Sequence, residues 1–199
     1  FHVTGVQTCA LPIFSHRYLL TMMIWLLGAL ALFAVLLFWR TAASNKAGLP
    51  RVGDPLPAFE LPDQSGATRT DREFRGRWLV LYFYPRDDTP GCTEQAAKFR
   101  DAMRDFEAAG AAVCGISVDA GESHAAFARK YNLPYALLSD RNGRTSARFG
   151  SLLNLVLVQF ARRNTFLADP QGRVAKIYLG VNPARNAGDV LRDLKELAR

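Results

Sequence analysis

Residues 84–95 read YPRDDTPGCTEQ, and they hold the side chain of this sequence best placed to react. Asp88 and Thr89 are residue types that cap a helix N-terminus, and Pro90 suits the first helical position. Cys92 therefore falls in the first turn of a helix. There its sulfur meets free backbone N–H groups and the positive end of the helix dipole, and both favour the thiolate. A thiolate is the nucleophilic form, and one that peroxide can reach gives a sulfenic acid. The competing reading makes Cys92 a small residue filling a turn. The other reactive side chains form no pattern. His2, His16 and His124 are scattered, so no metal site is expected, and His124 reads as a solvated residue on the polar face of a helix. Cys114 lies in the apolar run AAVCGISV and reads as a buried, inert thiol. No C-x-x-C pair exists, so neither a structural zinc nor a dithiol centre is expected.

A cysteine at a helix start needs a strand before it and a sheet to carry that strand. Residues 78–84, WLVLYFY, are a continuous apolar, β-rich run and predict a strand buried on both faces. Residues 93–109 repeat Ala96, Phe99, Met103 and Phe106 at helical spacing, and Gly110 stops that helix. Residues 112–118 predict a second buried strand. A helix over 122–131 follows, with Ala125, Phe127 and Ala128 as its inward residues, and then a short strand over 135–139. Two strands over 165–168 and 174–179 flank the turn Asp169-Pro170-Gln171-Gly172. An amphipathic helix over 187–198 ends the chain. The order βαβα then ββα predicts an α/β sandwich around a central mixed sheet.

The 199 residues are 49% hydrophobic and 22% charged, a globular balance that suits one domain with an appendage. The net charge of +7 is spread unevenly: all 18 acids lie at or beyond Asp54, and residues 1–49 hold only three of the 25 basic residues, Arg17, Arg40 and Lys46. What remains on the domain is too mild and dispersed for a nucleic-acid groove. Residues 19–39 are 21 consecutive uncharged residues, about 30 Å of helix. They predict a single-span, uncleaved membrane anchor, with the side of the membrane left open, and a cleaved signal peptide as its rival. Residues 3–13, VTGVQTCALPI, resemble the in-frame translation of a sequencing-library adapter, so residues 1–18 are set apart as an unassigned N-terminus and Cys9 is given no role. Residues 40–50 read as a linker and 51–199 as the catalytic domain.

Pro85-Arg86-Asp87-Asp88-Thr89-Pro90-Gly91-Cys92 carries a PxxxTxxC motif. Further matching strings are VGDPLPAFELPDQSG at 52–66, ISVD at 116–119, ESHAAFARKYNLPYALLSD at 122–140 and TFLADPQG at 165–172. With these the domain resembles a peroxiredoxin of the bacterioferritin-comigratory (Q-type) group, over about residues 50–199. The resemblance implies a thioredoxin-like fold and reduction of hydrogen peroxide and organic hydroperoxides, with no cofactor. Electrons would come from thioredoxin or another thiol reductant. It implies Cys92 as the peroxidatic nucleophile, Thr89 as the hydroxyl beside it, and Pro85 as the shield against water. Arg163, before the TFL strand, would be the guanidinium that stabilises the thiolate and the peroxide oxygens, with Arg162 its alternative. The N–H groups of Gly91 and Cys92 would complete the substrate pocket.

Two departures stand out. Many members carry a resolving cysteine five residues after the first, and here that position is Ala97. With Cys114 the only other domain cysteine, a one-Cys mechanism is expected. Residues 151–163, SLLNLVLVQFARR, are unusually apolar and read as core, as a dimer surface, or as a patch leaning on the membrane. The assembly expected is a monomer or weak homodimer. A membrane-anchored thiol–disulfide oxidoreductase of thioredoxin type is the alternative function. It lacks its second thiol, because Cys92-Thr93-Glu94-Gln95 ends in Gln95. A redox-inert binding domain is a third reading.

Overall fold

A computed structural model of the chain describes residues 16–44, 48–155 and 158–199. It divides into two units, Phe1–Ala42 and Ala43–Arg199. The adapter-like segment 3–13, with Cys9, lies outside the described residues. In the first unit, helix α1 (His16–Ser44) carries the apolar run, and its side chains are described at 21–33 and 35–36, all exposed. Among the described residues no helix is long and apolar enough to cross a membrane. This corrects the expected anchor over 19–39 and, with it, the membrane localisation and membrane partner.

The second unit opens with a small hairpin, β1 (Glu60–Pro62) and β2 (Thr68–Thr70), and a 3₁₀ turn over Asp71–Phe74. There follow β3 (Trp78–Phe83), α2 (Pro90–Asp101), α3 (Met103–Ala108), β4 (Ala111–Ser117), α4 (Gly121–Tyr131), β5 (Ala136–Ser139) and α5 (Arg144–Arg148). A second hairpin, β6 (Leu152–Leu155) and β7 (Val158–Ala161), leads into β8 (Thr165–Ala168), β9 (Val174–Tyr178) and α6 (Pro183–Leu197). Five strands form the main sheet in the order β5-β4-β3-β8-β9. β3 runs parallel to β4, with Leu81 opposite Cys114, and antiparallel to β8, with Leu81 opposite Phe166. The sheet is therefore mixed, as the element order led us to expect.

Alternation along β3 builds two cores, because successive side chains of a strand point to opposite faces. Val80, Tyr82 and Tyr84 pack with Ala96 and Phe99 of α2, Phe106 of α3, and Val190 and Leu194 of α6. Leu79, Leu81 and Phe83 pack on the other side with Leu56, Phe59, Phe149 and Phe166. Cys92 belongs to the first core and Cys114 to the second. Gly115 is needed for closeness rather than for its dihedrals: a Cβ there would stand 2.7 Å from Tyr82 Oη and 2.9 Å from Leu137 Cδ2.

Some sequence expectations shift. The helix expected over 93–109 begins at Pro90 and is broken at Ala102 into α2 and α3. The last helix begins earlier than expected, at Pro183, because the Asn182 side chain caps it by accepting from Ala184 N at 2.9 Å. The apolar stretch 151–163 is chiefly the β6–β7 hairpin. Its Leu155 and Val158 are exposed, and among its described residues only Ser151 and Ala161 are buried.

Candidate active site

β3 ends at Phe83, and residues 84–89 turn the chain from the sheet into α2. Thr89 is the N-cap, in extended conformation, and Pro90 occupies the first helical position. Thr93 N donates to the Thr89 carbonyl at 2.8 Å, so the N–H groups of Gly91 and Cys92 precede the first closed turn and have no intrahelical acceptor. Cys92 is buried, at 1% exposure. Its Sγ accepts a hydrogen bond from Arg163 Nη2 at 3.2 Å.

Arg163 reaches Cys92 from the turn between β7 and β8. Arg162 beside it is exposed, and Asn164 N donates to the Arg162 carbonyl at 2.9 Å, closing a tight turn about Arg163. The guanidinium is held by Gln95, whose Oε1 accepts from Arg163 Nη1 at 2.7 Å, and more loosely by the Gly91 carbonyl at 3.4 Å. Arg163 and Pro183 pack over Gly91: a Cβ there would lie 3.4 Å from Nη2 and 3.5 Å from Pro183 Cγ, at van der Waals contact with both. Thr89 turns its hydroxyl to the Arg86 carbonyl, 3.1 Å away. Pro85 is half-buried at the head of the loop. Thus Cys92, Arg163 and Gly91 are in contact, while Thr89 and Pro85 shape the loop that delivers them.

Sequence reasoning missed two members of this arrangement. Gln95 passes its amide N–H to Asn186 Oδ1 at 2.8 Å, and Asn186 lies in α6. Gln95 carries a weak signal, being one turn after Cys92 on the same helix face.

His124 is also corrected. It is fully buried, and its Nδ1 lies 2.8 Å from Asp87 Oδ2. The reading of a solvated face failed because the loop before Cys92 folds a carboxylate down onto α4. Asp87 accepts from Tyr84 Oη and Ser123 Oγ, each at 2.7 Å, as well as facing His124. Burial opposes the Asp87 charge, but the bonds from His124, Ser123 and Tyr84 prevail and hold its carboxyl below the usual range. Asp88, left-handed at φ 55°, accepts from Lys130 Nζ and Tyr131 Oη of the same helix. Two consecutive carboxylates therefore moor the loop to α4.

A cavity of about 710 Å³ opens beside Arg163, with Leu49, Pro50, Leu153 and Leu179 as apolar wall and Arg51 and Arg162 at its edge. On the opposite face of the sheet, burial pushes the Cys114 thiol up to about 12, so it stays protonated at neutral pH. A buried cysteine at a helix N-terminus, gripped by a fixed guanidinium, is suited to nucleophilic attack on a small, polarisable bond.

Residues 52–177 match the model of the AhpC/TSA family. The chain belongs to the peroxiredoxins. It is 42% identical over 161 residues to peroxiredoxin Q, chloroplastic, of Triticum aestivum, covering 79% of this chain and 74% of that one. The peroxidoxin BcpB structure from Mycobacterium tuberculosis superposes with a TM-score of 0.71 at 34% identity, covering 74% of this chain and 98% of the other. The bacterioferritin comigratory protein of Xanthomonas campestris gives 0.69 at 32% identity, over 73% of this chain and all of that one. This peroxiredoxin therefore has the thioredoxin-like fold of the Q/bacterioferritin-comigratory type, and it is a thiol-dependent peroxidase. The Triticum protein is named as chloroplastic.

Proposed function

We propose that this peroxiredoxin reduces hydrogen peroxide and organic hydroperoxides with Cys92 as its single catalytic thiol, in antioxidant defence. The Cys92 thiolate attacks one peroxide oxygen. The S–O bond forms as the O–O bond breaks, and the second oxygen takes a proton and leaves as water or an alcohol. An external thiol then attacks the sulfenic acid, releasing water and leaving a mixed disulfide, and a second thiol frees Cys92. Thioredoxin or another thiol supplies these electrons, and the domain over 51–199 acts as a monomer or weak homodimer. The observation that carries the reading is the 3.2 Å contact between Arg163 Nη2 and Cys92 Sγ. Arg163 stabilises the thiolate and the charge that develops on the peroxide oxygens. The N–H groups of Gly91 and Cys92 complete that pocket, Thr89 supplies the neighbouring hydroxyl, and Pro85 limits water. The wide, partly apolar cavity beside Arg163 supports acceptance of organic hydroperoxides, as does the alkyl peroxide reduction ascribed to the Xanthomonas protein.

A single thiol is supported by two placements. Ala97 stands where a resolving cysteine would follow on α2, and Cys114 lies across the sheet from Cys92. The test is intact mass after one equivalent of hydrogen peroxide with a sulfenic-acid trap, on the chain and on Cys92→Ser. A trapped adduct confined to the unsubstituted chain is expected. An internal disulfide would end the one-thiol mechanism, and an unmodified Cys92 would end the catalytic assignment.

A further inference from the structure

Gln95 and Asn186 are fully buried, and they link Arg163 to the last helix. Arg163 donates to Gln95 Oε1 at 2.7 Å, and Gln95 Nε2 donates to Asn186 Oδ1 at 2.8 Å. Asn186 Oδ1 also accepts from Thr165 Oγ1 at 2.8 Å. One end of this chain dictates the rest. A guanidinium can only donate, so Gln95 must show it a carbonyl. That turn sends the Gln95 amide N–H groups toward α6, where they need an acceptor. Reversing Asn186 would set amine against amine and release Gln95 to rotate. The arrangement has a cost: Asn186 Nδ2 is buried with no hydrogen-bond partner among the described residues. An orphaned buried donor is destabilising, and an apolar side chain would avoid it.

We infer that Asn186 is a positioning residue for peroxide reduction: its carbonyl fixes the orientation of Gln95 and so holds Arg163 against Cys92. It touches neither the sulfur nor the substrate. The inference rests on the assignment of Cys92 and Arg163 given above.

The test uses the full chain with Asn186→Leu, Asn186→Ala, Gln95→Met and the double variant Gln95→Met with Asn186→Ala. Two quantities are followed by mass spectrometry: the pH profile of Cys92 alkylation by iodoacetamide, and its rate of oxidation by hydrogen peroxide. A loosened guanidinium is expected to move the alkylation midpoint up by roughly half a pH unit and to slow oxidation roughly tenfold. The double variant is expected to match Gln95→Met alone, because Asn186 acts through Gln95. A folded Asn186 variant with the parent profile and rate would overturn the inference, as would effects that add in the double variant. Should Asn186→Leu not fold, Asn186→Ala decides the same question. Arg163→Met separates the two levels. If it leaves the Cys92 profile unmoved, the underlying assignment fails; if it moves the profile and the Asn186 variants do not, only the positioning role fails.

Discussion

Arg163 uses two nitrogens for its two shorter contacts, Cys92 Sγ from Nη2 and Gln95 Oε1 from Nη1, with the Gly91 carbonyl a longer third. A lysine ammonium is a single point of charge on a flexible stem and cannot hold both with one fixed geometry. Arg163→Lys is therefore expected to lose much of the activity despite keeping the charge. Arg163→Met is expected to lower kcat/KM by about 10²–10³-fold, the range for removing one donor aimed at developing charge. Arg162 is exposed beside it, so Arg162→Met is expected to stay within about twofold, which is the size of ordinary surface substitutions. Peroxide consumption with dithiothreitol as donor measures all three. Equal losses at 162 and 163 would dissolve the assignment. Of this site the sequence disclosed what is local. Thr89, Pro90 and Cys92 follow from capping chemistry within four residues. Arg163 came from the family pattern and could not be derived from spacing, since 71 positions separate it from Cys92. Asn186, 91 positions from Gln95, left no trace in the sequence at all.

At the scale of elements, the loop over 84–89 is moored to α4 by two adjacent carboxylates with opposite surroundings. Asp88 is exposed, and its bonds to Lys130 and Tyr131 are of the kind that contribute little. Asp87 is buried against His124, and breaking such a pair from one side leaves an uncompensated group. Asp87→Ala is expected to destabilise the fold by roughly 3 kcal/mol, read as a drop in urea midpoint, with Lys130→Ala near zero. Because the fold holds the Asp87 carboxyl below its ordinary range, its contribution is complete at neutral pH. It is lost as the pH falls below about 4 and toward the folded value. Asp87→Asn is expected to flatten the acid limb of the urea midpoint against pH; an unchanged limb would remove Asp87 from the account. The strands β3 and β4 were legible because both faces are buried, which leaves a continuous apolar run. α5 was not, since RTSAR carries no apolar stripe, and neither were the three- and four-residue strands of the two hairpins, which are too short to show a period.

For the whole molecule, the sheet acts as a wall between two thiols. Cys92 lies in the core that α2 and α6 close, and Cys114 points from β4, next to the central strand β3, into the core with Leu81, Phe83 and Phe166. A disulfide requires Cα atoms within about 7 Å and Cβ vectors that converge, and side chains on opposite faces of one sheet diverge. Cys114 is doubly withheld, because its thiol stays protonated in the folded state and so is a poor nucleophile toward a sulfenic acid. Oxidation in the native state is thus expected to leave Cys114 free, with Cys92 capped or linked to an external thiol. Unfolding removes both barriers at once. A series of urea concentrations with one equivalent of peroxide, quenched and mapped by peptide mass, is expected to show the Cys92–Cys114 disulfide rising only along the unfolding transition. Its appearance in the absence of urea, at full native signal, would mean that the helix start and β4 rearrange together within the folded state, and the wall between the thiols would have to be abandoned.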